Sequence, residues 1–469
     1  MTRIRRWPHE AGIYFPLLFF IVFEVWCFAG NHTILIALLL CGMAGTFCWI
    51  WFQHTKVISG FGFPLFAMLI FGPTFFYIFG KAADFYFYGM LFLVFPLIIA
   101  EYVQKTRTKY IPGTGSIAIM ILGFIVSLIY QTIVHRGNYD YSLQADMMFM
   151  LALAVLFMIF TSLVLEFISI RQILLALTLS VLPLLIFSLY HCYVHGELAK
   201  VFVLRFGGTD ALFNPDLVAH MLDFCFPFAL FLALGEKKIP MKIFLLLLSL
   251  TYCICLFLTA ARGALPGLAA IFLFFMIKSR SLVVWILVGA LAICIFGAVG
   301  GRVANRILKP TRIDLASDIG RIELLKTAHA LLKENHYSFG IGFNNFESEK
   351  YRFGFSRGFD AKRNLSSHNA YLELWLGWGI LGLLGWLSLL IGSFIRLART
   401  KLPVEMCHFK CALMFALFAF MVHNLFDSNI GYFTVMIWVV GTLSCMSFLS
   451  RLDIRNTAGV GTPLTKPDF

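Results

Sequence analysis

The sequence predicts an all-α fold, a polytopic transmembrane helix bundle of about 12–14 spans with one long, partly helical loop on the outer side. Three observations carry that prediction. Of 469 residues, 60% are apolar and 13% charged, against roughly a quarter charged in soluble domains. Mean hydropathy is +0.86. The apolar residues fall in runs of about 20, the length a helix needs to cross a bilayer. The exception is the stretch from Gly301 to Tyr371, with twelve Lys and Arg against seven acids, a net of +5.

In chain order, the apolar runs cover about 11–29, 33–53, 57–79, 84–103, 115–133, 145–169, 172–190, 217–235, 242–260, 264–278, 282–300, 370–395, 410–427 and 431–450. An even count puts both termini on one side. With Arg3, Arg5 and Arg6 cytoplasmic, the following inside loops carry Lys56, then Lys105, Arg107 and Lys109, then Arg171. Lys237, Lys238 and Lys242, the loop beginning at Lys278, and the segment from Arg396 to Lys410 continue the pattern that the positive-inside rule requires. The outside loops are short or weakly charged except for the long one, and long loops translocate largely regardless of charge. Residues 1–469 therefore read as a single membrane domain, with 301–369 inserted between spans as an outside loop.

Within that loop, Ser317-Asp318 precedes Ile322, Leu325, Ala328 and Leu332 at helix spacing. This predicts an N-cap followed by an amphipathic helix ending near Asn335, lying on the membrane surface or capping the bundle. Gly340-Ile341-Gly342 predicts a turn beyond it.

Composition also excludes functions. The net charge of +13 is spent largely on short inside loops, so nucleic acid is not an expected partner. The cysteines lie in or beside apolar runs, which argues against a disulfide framework. No CxxC, HExxH, DxD or GxxxxGK motif occurs, so no metal, cofactor or nucleotide cradle is expected.

The candidates for chemistry lie at outer segment ends. Arg262 sits in a hairpin of very few residues, where it serves either as an interfacial anchor or as a bidentate clamp on phosphate. Arg321 follows Gly320 at the start of the loop helix, and Arg205 lies in the other outside loop, followed by Phe206-Gly207-Gly208 and Asn214-Pro215-Asp216. Each alone reads as a solvated charge; together, three Arg-bearing segments on one face suit a pyrophosphate leaving group. His368 at the membrane edge is either a helix-capping residue or a base that accepts a hydroxyl proton. His423-Asn424 with Asp427 forms a weaker cluster, read as supporting. Glu24 and Glu166 lie inside apolar runs, Glu166 close enough to Arg171 to pair with it.

The sequence resembles the O-antigen ligase and O-antigen polymerase superfamily of bacterial envelope enzymes. The resemblance rests on Thr259-Ala260-Ala261-Arg262-Gly263-Ala264, Gly320-Arg321-Ile322-Glu323 and Phe339-Gly340-Ile341-Gly342-Phe343-Asn344-Asn345-Phe346. It continues through Ser367-His368-Asn369-Ala370-Tyr371-Leu372-Glu373-Leu374 into Gly377-Trp378-Gly379-Ile380-Leu381-Gly382-Leu383, and spans about 200–395. It implies metal-independent transfer of a glycan from an undecaprenyl-pyrophosphate donor to a sugar hydroxyl at the periplasmic face of the bacterial inner membrane. The acceptor would be another lipid-linked glycan for a polymerase or lipid A-core for a ligase. It further implies that Arg262, Arg321 and Arg205 hold the pyrophosphate and His368 assists the acceptor, with Asn369 and Tyr371 expected to contact substrate. Other envelope glycan assembly proteins and membrane lipids are the expected partners. The alternative class is a transporter or lipid-linked oligosaccharide flippase, which places ionisable groups near the membrane midplane.

Overall fold

The computed structural model describes residues 113–134, 169–182, 185–186, 215–259, 261, 263–279, 312–335, 338–342, 345–346, 367–427 and 433–451. Among them every regular element is helical. In order they are α1 (Thr114–Val134), α2 (Ile170–Leu179), α3 (Pro215–Gly235), α4 (Ile239–Thr259), α5 (Ala264–Ser279), α6 (Arg312–Glu334), α7 (Ala370–Arg399), a 3-10 turn (Val404–Met406), α8 (Cys407–His423) and α9 (Phe433–Leu449). Among the described residues, five stretches are long and apolar enough to cross a membrane: Thr114–Gln131, Asp216–Gly235, Ile239–Phe257, Ala370–Arg399 and Val404–His423. The predicted runs at 11–29, 33–53, 57–79, 84–103, 145–169 and 282–300 lie outside the described residues.

Helix α3 is the central member. It is buried on nearly all sides, packing on α2, α4, α5, α8 and α9. Pro215 opens it, where the missing N–H costs no intrahelical bond, and Pro227 is accommodated within it. The end of the bundle at Gly235 is basic: Arg171 pairs with Glu236, and Lys237, Lys238, Lys242, Arg396, Arg399 and Lys401 are near the same helix termini. Lys410 Nζ donates to the carbonyls of Ala398 and Thr400, both at 2.8 Å, satisfying the C-terminus of α7. Burial favours the neutral form of Glu236, but the Lys237 and Lys238 amides and Arg171 outweigh it and hold the carboxyl below its usual value.

Helix α7 is broken in its middle. Trp378 (φ −119°, ψ 17°) and Gly379 (φ 67°, ψ −171°) leave helical geometry. A turn of broken helix in a bilayer must have its polar groups paired, and the segment 338–342 supplies the partners. The Ile380 N–H, whose intrahelical acceptor would be the Leu376 carbonyl, donates to Ser338 O at 3.3 Å. The Leu376 carbonyl accepts instead from Ile341 N at 2.5 Å, and the Gly377 carbonyl from Gly342 N at 3.1 Å. Helix α1 closes the junction: Ser127 Oγ donates to Gly377 O at 2.9 Å, Gln131 Nε2 to Gly340 O at 2.5 Å, and Tyr130 stacks on Phe339 with centroids 4.2 Å apart. Thus Gly340-Ile341-Gly342 lies in the gap of α7, and the chain turns beyond it, with Gly342 at φ 91° and Asn345 N donating to Gly342 O at 3.3 Å. Below it α1 and α7 approach through Gly123 and Gly382, a small-residue contact of the kind that lets membrane helices pack closely.

Helix α6 is the expected loop helix and ends at Glu334, beside Asn335 as predicted. It begins at Arg312, so Ser317 and Asp318 lie inside it and do not cap it. Leu324, Ala328, Leu331 and Leu332 pack on Ile341, Phe346 and Leu376. Each buried leucine contributes on the order of 2 kcal/mol. The helix therefore caps the bundle at the broken segment of α7, while Ile322 and Leu325 face outward.

The backbone at Gly379 is nearly exclusive to glycine, and a Cβ there would press on the Ser338 carbonyl. Gly379→Ala should cost roughly 1–3 kcal/mol or more, read as a lowered thermal midpoint in detergent. Gly115→Ala, at a helical position with no atom within 4 Å of a new Cβ, should leave the midpoint unchanged or raise it.

Candidate active site

At the end of the bundle opposite Glu236, four helix termini meet: the starts of α3, α5 and α7 and the end of α8. Helix α3 brings polar side chains into an apolar setting, since His220 and Asp223 are both fully buried. His423 Nδ1 donates to Asp223 Oδ2 at 2.6 Å. His220 Nδ1 lies 2.9 Å from the Asp216 carbonyl, which can only accept, so that nitrogen is assigned the proton. The two imidazoles stack with centroids 3.6 Å apart, and His220 Nε2 lies 3.3 Å from Asn424 Oδ1.

The ends of α8 and α7 satisfy each other. Ala370 N–H, unpaired within its own helix, donates to the Asn424 carbonyl at 3.0 Å. Asn369 is the N-cap of α7: its Oδ1 accepts from Leu372 N at 3.0 Å, and its Nδ2 donates to Leu425 O at 3.1 Å. Tyr371 Oη donates to Met421 O at 2.7 Å. Glu373, in the first turn where the helix dipole favours an anion, accepts from the Ser367 amide. After His423 the chain turns tightly, with Phe426 N and Asp427 N both donating to the His423 carbonyl. That turn carries Asp427 back to the start of α7.

His368 sits where these ends meet. Its φ of 54° is left-handed, a conformation that non-glycine residues hold only when surrounding contacts impose it, often at functional sites. Its Nδ1 donates to Asp427 Oδ1 at 3.3 Å. Burial would raise the Asp427 carboxyl, but the hydrogen bond from His368 and the neighbouring imidazoles outweigh that and hold it well below the usual carboxylate range. Asp427 is therefore an anionic acceptor that fixes one face of His368.

The structure joins His368, Asn369 and Tyr371 to His423, Asn424 and Asp427 in one constellation. The polar atoms of Asn369 and Tyr371 are spent on helix ends, which makes their described role one of holding the backbone. Arg262 and Arg205 lie outside the described residues, as do Glu24 and Glu166. The neighbour of Arg262 is informative: a Cβ on Gly263 would strike the His423 ring, so the turn into α5 abuts the cluster. Arg321 lies one turn before the buried face of α6, with its Nε buried and without a hydrogen-bond partner among the described residues. No described contact links it to His368.

His220 and Asp223 escaped the sequence reading. Their i, i+3 spacing inside an apolar run was the available signal, because ionisable residues in a span are functional suspects by default.

Removing the α7 cap tests this local account. Asn369→Ala should cost about 1 kcal/mol from the cap and more from the lost Leu425 bond, seen as a lower thermal midpoint. His368→Gly, which suits a left-handed φ, should keep the midpoint at or above that of the unaltered protein.

Residues 244–387 match a protein-family model described as O-antigen ligase. The matched stretch runs from α4 to the middle of α7 and contains Arg262, Arg321 and His368, whereas His220, Asp223, His423 and Asp427 lie beyond it. No curated protein matches the chain. With several apolar helices of spanning length around that stretch, the chain is a multi-pass membrane protein that is similar, over residues 244–387, to the O-antigen ligase family.

Proposed function

We propose that this protein is a glycosyltransferase of the bacterial inner membrane. It moves a glycan from an undecaprenyl-pyrophosphate carrier to a sugar hydroxyl at the periplasmic face, without using a metal in the transfer. The observation that carries the reading is the His368–Asp427 pair, held at the meeting of four helix termini, within a chain whose matched family is O-antigen ligase.

In this reading, Asp427 accepts from His368 Nδ1, so Nε2 takes the acceptor hydroxyl proton as its oxygen attacks the anomeric carbon of the donor. The bond from that carbon to the pyrophosphate oxygen breaks, and its electron pair leaves on undecaprenyl pyrophosphate. The departing charge needs cations. Arg262, whose neighbour Gly263 packs against His423, supplies one guanidinium; Arg321, with its unpartnered Nε, and Arg205 supply others. Asn369 and Tyr371 keep His368 in place along one edge of the substrate site. Positive charge at the opposite end of the bundle supports a cytoplasmic assignment for that end, with both termini there and the 301–369 loop in the periplasm.

His368→Ala, Arg262→Ala and Arg321→Ala proteins that are membrane-inserted at normal levels should abolish surface glycan on a lipopolysaccharide gel. Arg262→Lys should also be defective, because an ammonium does not reproduce the bidentate fork. Normal glycan from all four would refute the assignment. Asp427→Asn should lower transfer by roughly 10²–10⁴-fold, the range typical of general-base assistance, with little change in apparent affinity for the donor. Gene deletion separates the two forms of the enzyme: core bearing a single repeat marks a lost polymerase, and bare core with accumulated lipid-linked polymer marks a lost ligase.

A further inference from the structure

The turn that joins α3 to α4, at the end of the bundle away from His368, has a face that the transfer chemistry does not use. A groove of about 730 Å³ opens there, lined by Lys237, Lys238, Ile239, Pro240, Met241 and Phe244. Its walls are apolar save for the two lysines, and both lysines are exposed. The acid of the turn is committed elsewhere: the Glu236 carboxylate accepts from Arg171 and from the Lys237 and Lys238 amides, with its side chain turned inward. Residues 235–242 thus carry three lysines against one glutamate, and Arg171 already matches that glutamate.

From the groove an apolar stripe runs along α4. Ile239, Ile243, Leu247, Leu250 and Ile254 recur at helical spacing, and all are exposed, Ile239 at 69% and Leu247 at 59%. The opposite face is the packed one, with Leu245, Leu248, Tyr252 and Leu256 buried. Since α4 has membrane-spanning length, its exposed apolar face is solvated by acyl chains. The groove at the end of the stripe then comes at headgroup level, where lysines reach phosphates while their stems stay on apolar surface.

Apolar walls that continue into hydrocarbon, with two ammonium groups at the rim, suit an occupant with chains and an anionic head. A zwitterionic lipid brings its own ammonium group beside the lysines, and like charges repel; a net-anionic headgroup does not. The volume is within the range of small-molecule sites and holds a headgroup with the start of its chains. We propose that the groove at the α3–α4 turn binds a net-anionic glycerophospholipid of the surrounding bilayer, its phosphate at Lys237 and Lys238 and an acyl chain along Ile239, Ile243 and Leu247. The lipid pins the turn that sets α4 against the central helix α3. This inference goes beyond the glycan-transfer reading and does not depend on it.

Full-length protein in a neutral detergent, titrated with phosphatidylglycerol, should rise in thermal midpoint and carry the lipid in native mass spectrometry. Phosphatidylcholine of the same chain length should bind several-fold more weakly. The double substitution Lys237→Gln, Lys238→Gln should weaken phosphatidylglycerol binding by roughly 10–30-fold, about a factor of five for each lysine facing an anionic lipid. Lys401→Gln, at an exposed lysine of the same end outside the groove, should leave binding unchanged. Glycerol 3-phosphate, which has the charge and no chains, should give no shift. His368→Ala should keep the lipid even though it abolishes transfer, which separates failure of this site from failure of the catalytic reading. Equal binding of the two lipids by the unaltered protein overturns the proposal, as does undiminished affinity in the double variant. An equal loss with Lys401→Gln marks a diffuse basic surface, an equal shift with glycerol 3-phosphate a soluble anion, and loss of the lipid in His368→Ala the transfer site; each of these also overturns it.

Discussion

The pairing of broken backbone in α7 is the constraint on which the rest depends. Inside a bilayer each unsatisfied peptide group costs several kcal/mol. A helix interrupted at Trp378 and Gly379 is therefore tolerated only with partners supplied from elsewhere. The exchange between α7 and residues 338–342 supplies them bond for bond. It requires two backbones to touch, and Gly340 against Gly377 and Gly379 allows that contact because neither side carries a Cβ. The middle of the polar insertion, at 338–342, is thus stitched into the membrane domain.

That stitch has consequences at both ends of the insertion. The hydrophobic face of α6 packs on Ile341, Phe346 and Leu376, so the loop helix is docked by the residues that repair the break. The first half of α7, from Ala370 to Gly377, is held at its lower end by the exchange and at its upper end by the Ala370–Asn424 bond. A segment fixed at both ends has little freedom to rotate. His368, one residue before the cap, inherits this rigidity, and its left-handed backbone persists because Asn369, Glu373 and Asp427 are each fixed by bonds of their own. In the proposed transfer, pre-organisation of this kind spares His368 an ordering step.

Much of this architecture was legible in the sequence, for physical reasons. Among the described residues, apolar runs of spanning length marked most of the helices to within a few residues, because lipid demands a long run and a loop ends it; the run 172–190 instead holds a helix that ends at Leu179. Gly377-Trp378-Gly379 and Phe339-Gly340-Ile341-Gly342 stood out as motifs, yet their pairing is a contact between segments far apart in the chain, which periodicity does not encode. The start of α6 was placed at Ser317 because Ser-Asp is a strong cap signal; packing of the later turns on the α7 junction does not depend on where the helix begins, so local preference gave a poor boundary. At the site, His368 was visible through its neighbours. Asp427 was read as a supporting residue, and its role followed only from a turn that folds it back across the end of α8. His220 and Asp223 were hidden by the apolar residues around them.

The division of labour across the site follows from what each kind of residue can bear when buried. Carboxylates and imidazoles can enter the bundle because each finds a partner there: Asp223 with His423, Asp427 with His368, His220 with a carbonyl. An arginine cannot give up its charge, so burying one without an anion is prohibitive. Cations that serve a pyrophosphate must therefore stay at the rim, on short connections or on the loop, where water solvates them until the substrate arrives. Arg262, between α4 and α5 in the sequence, suits that placement; Arg321, on a helix outside the spans, is half-buried with its Nε buried. A base held rigidly inside and cations kept at the edge are what a lipid-borne anion entering from the membrane surface requires.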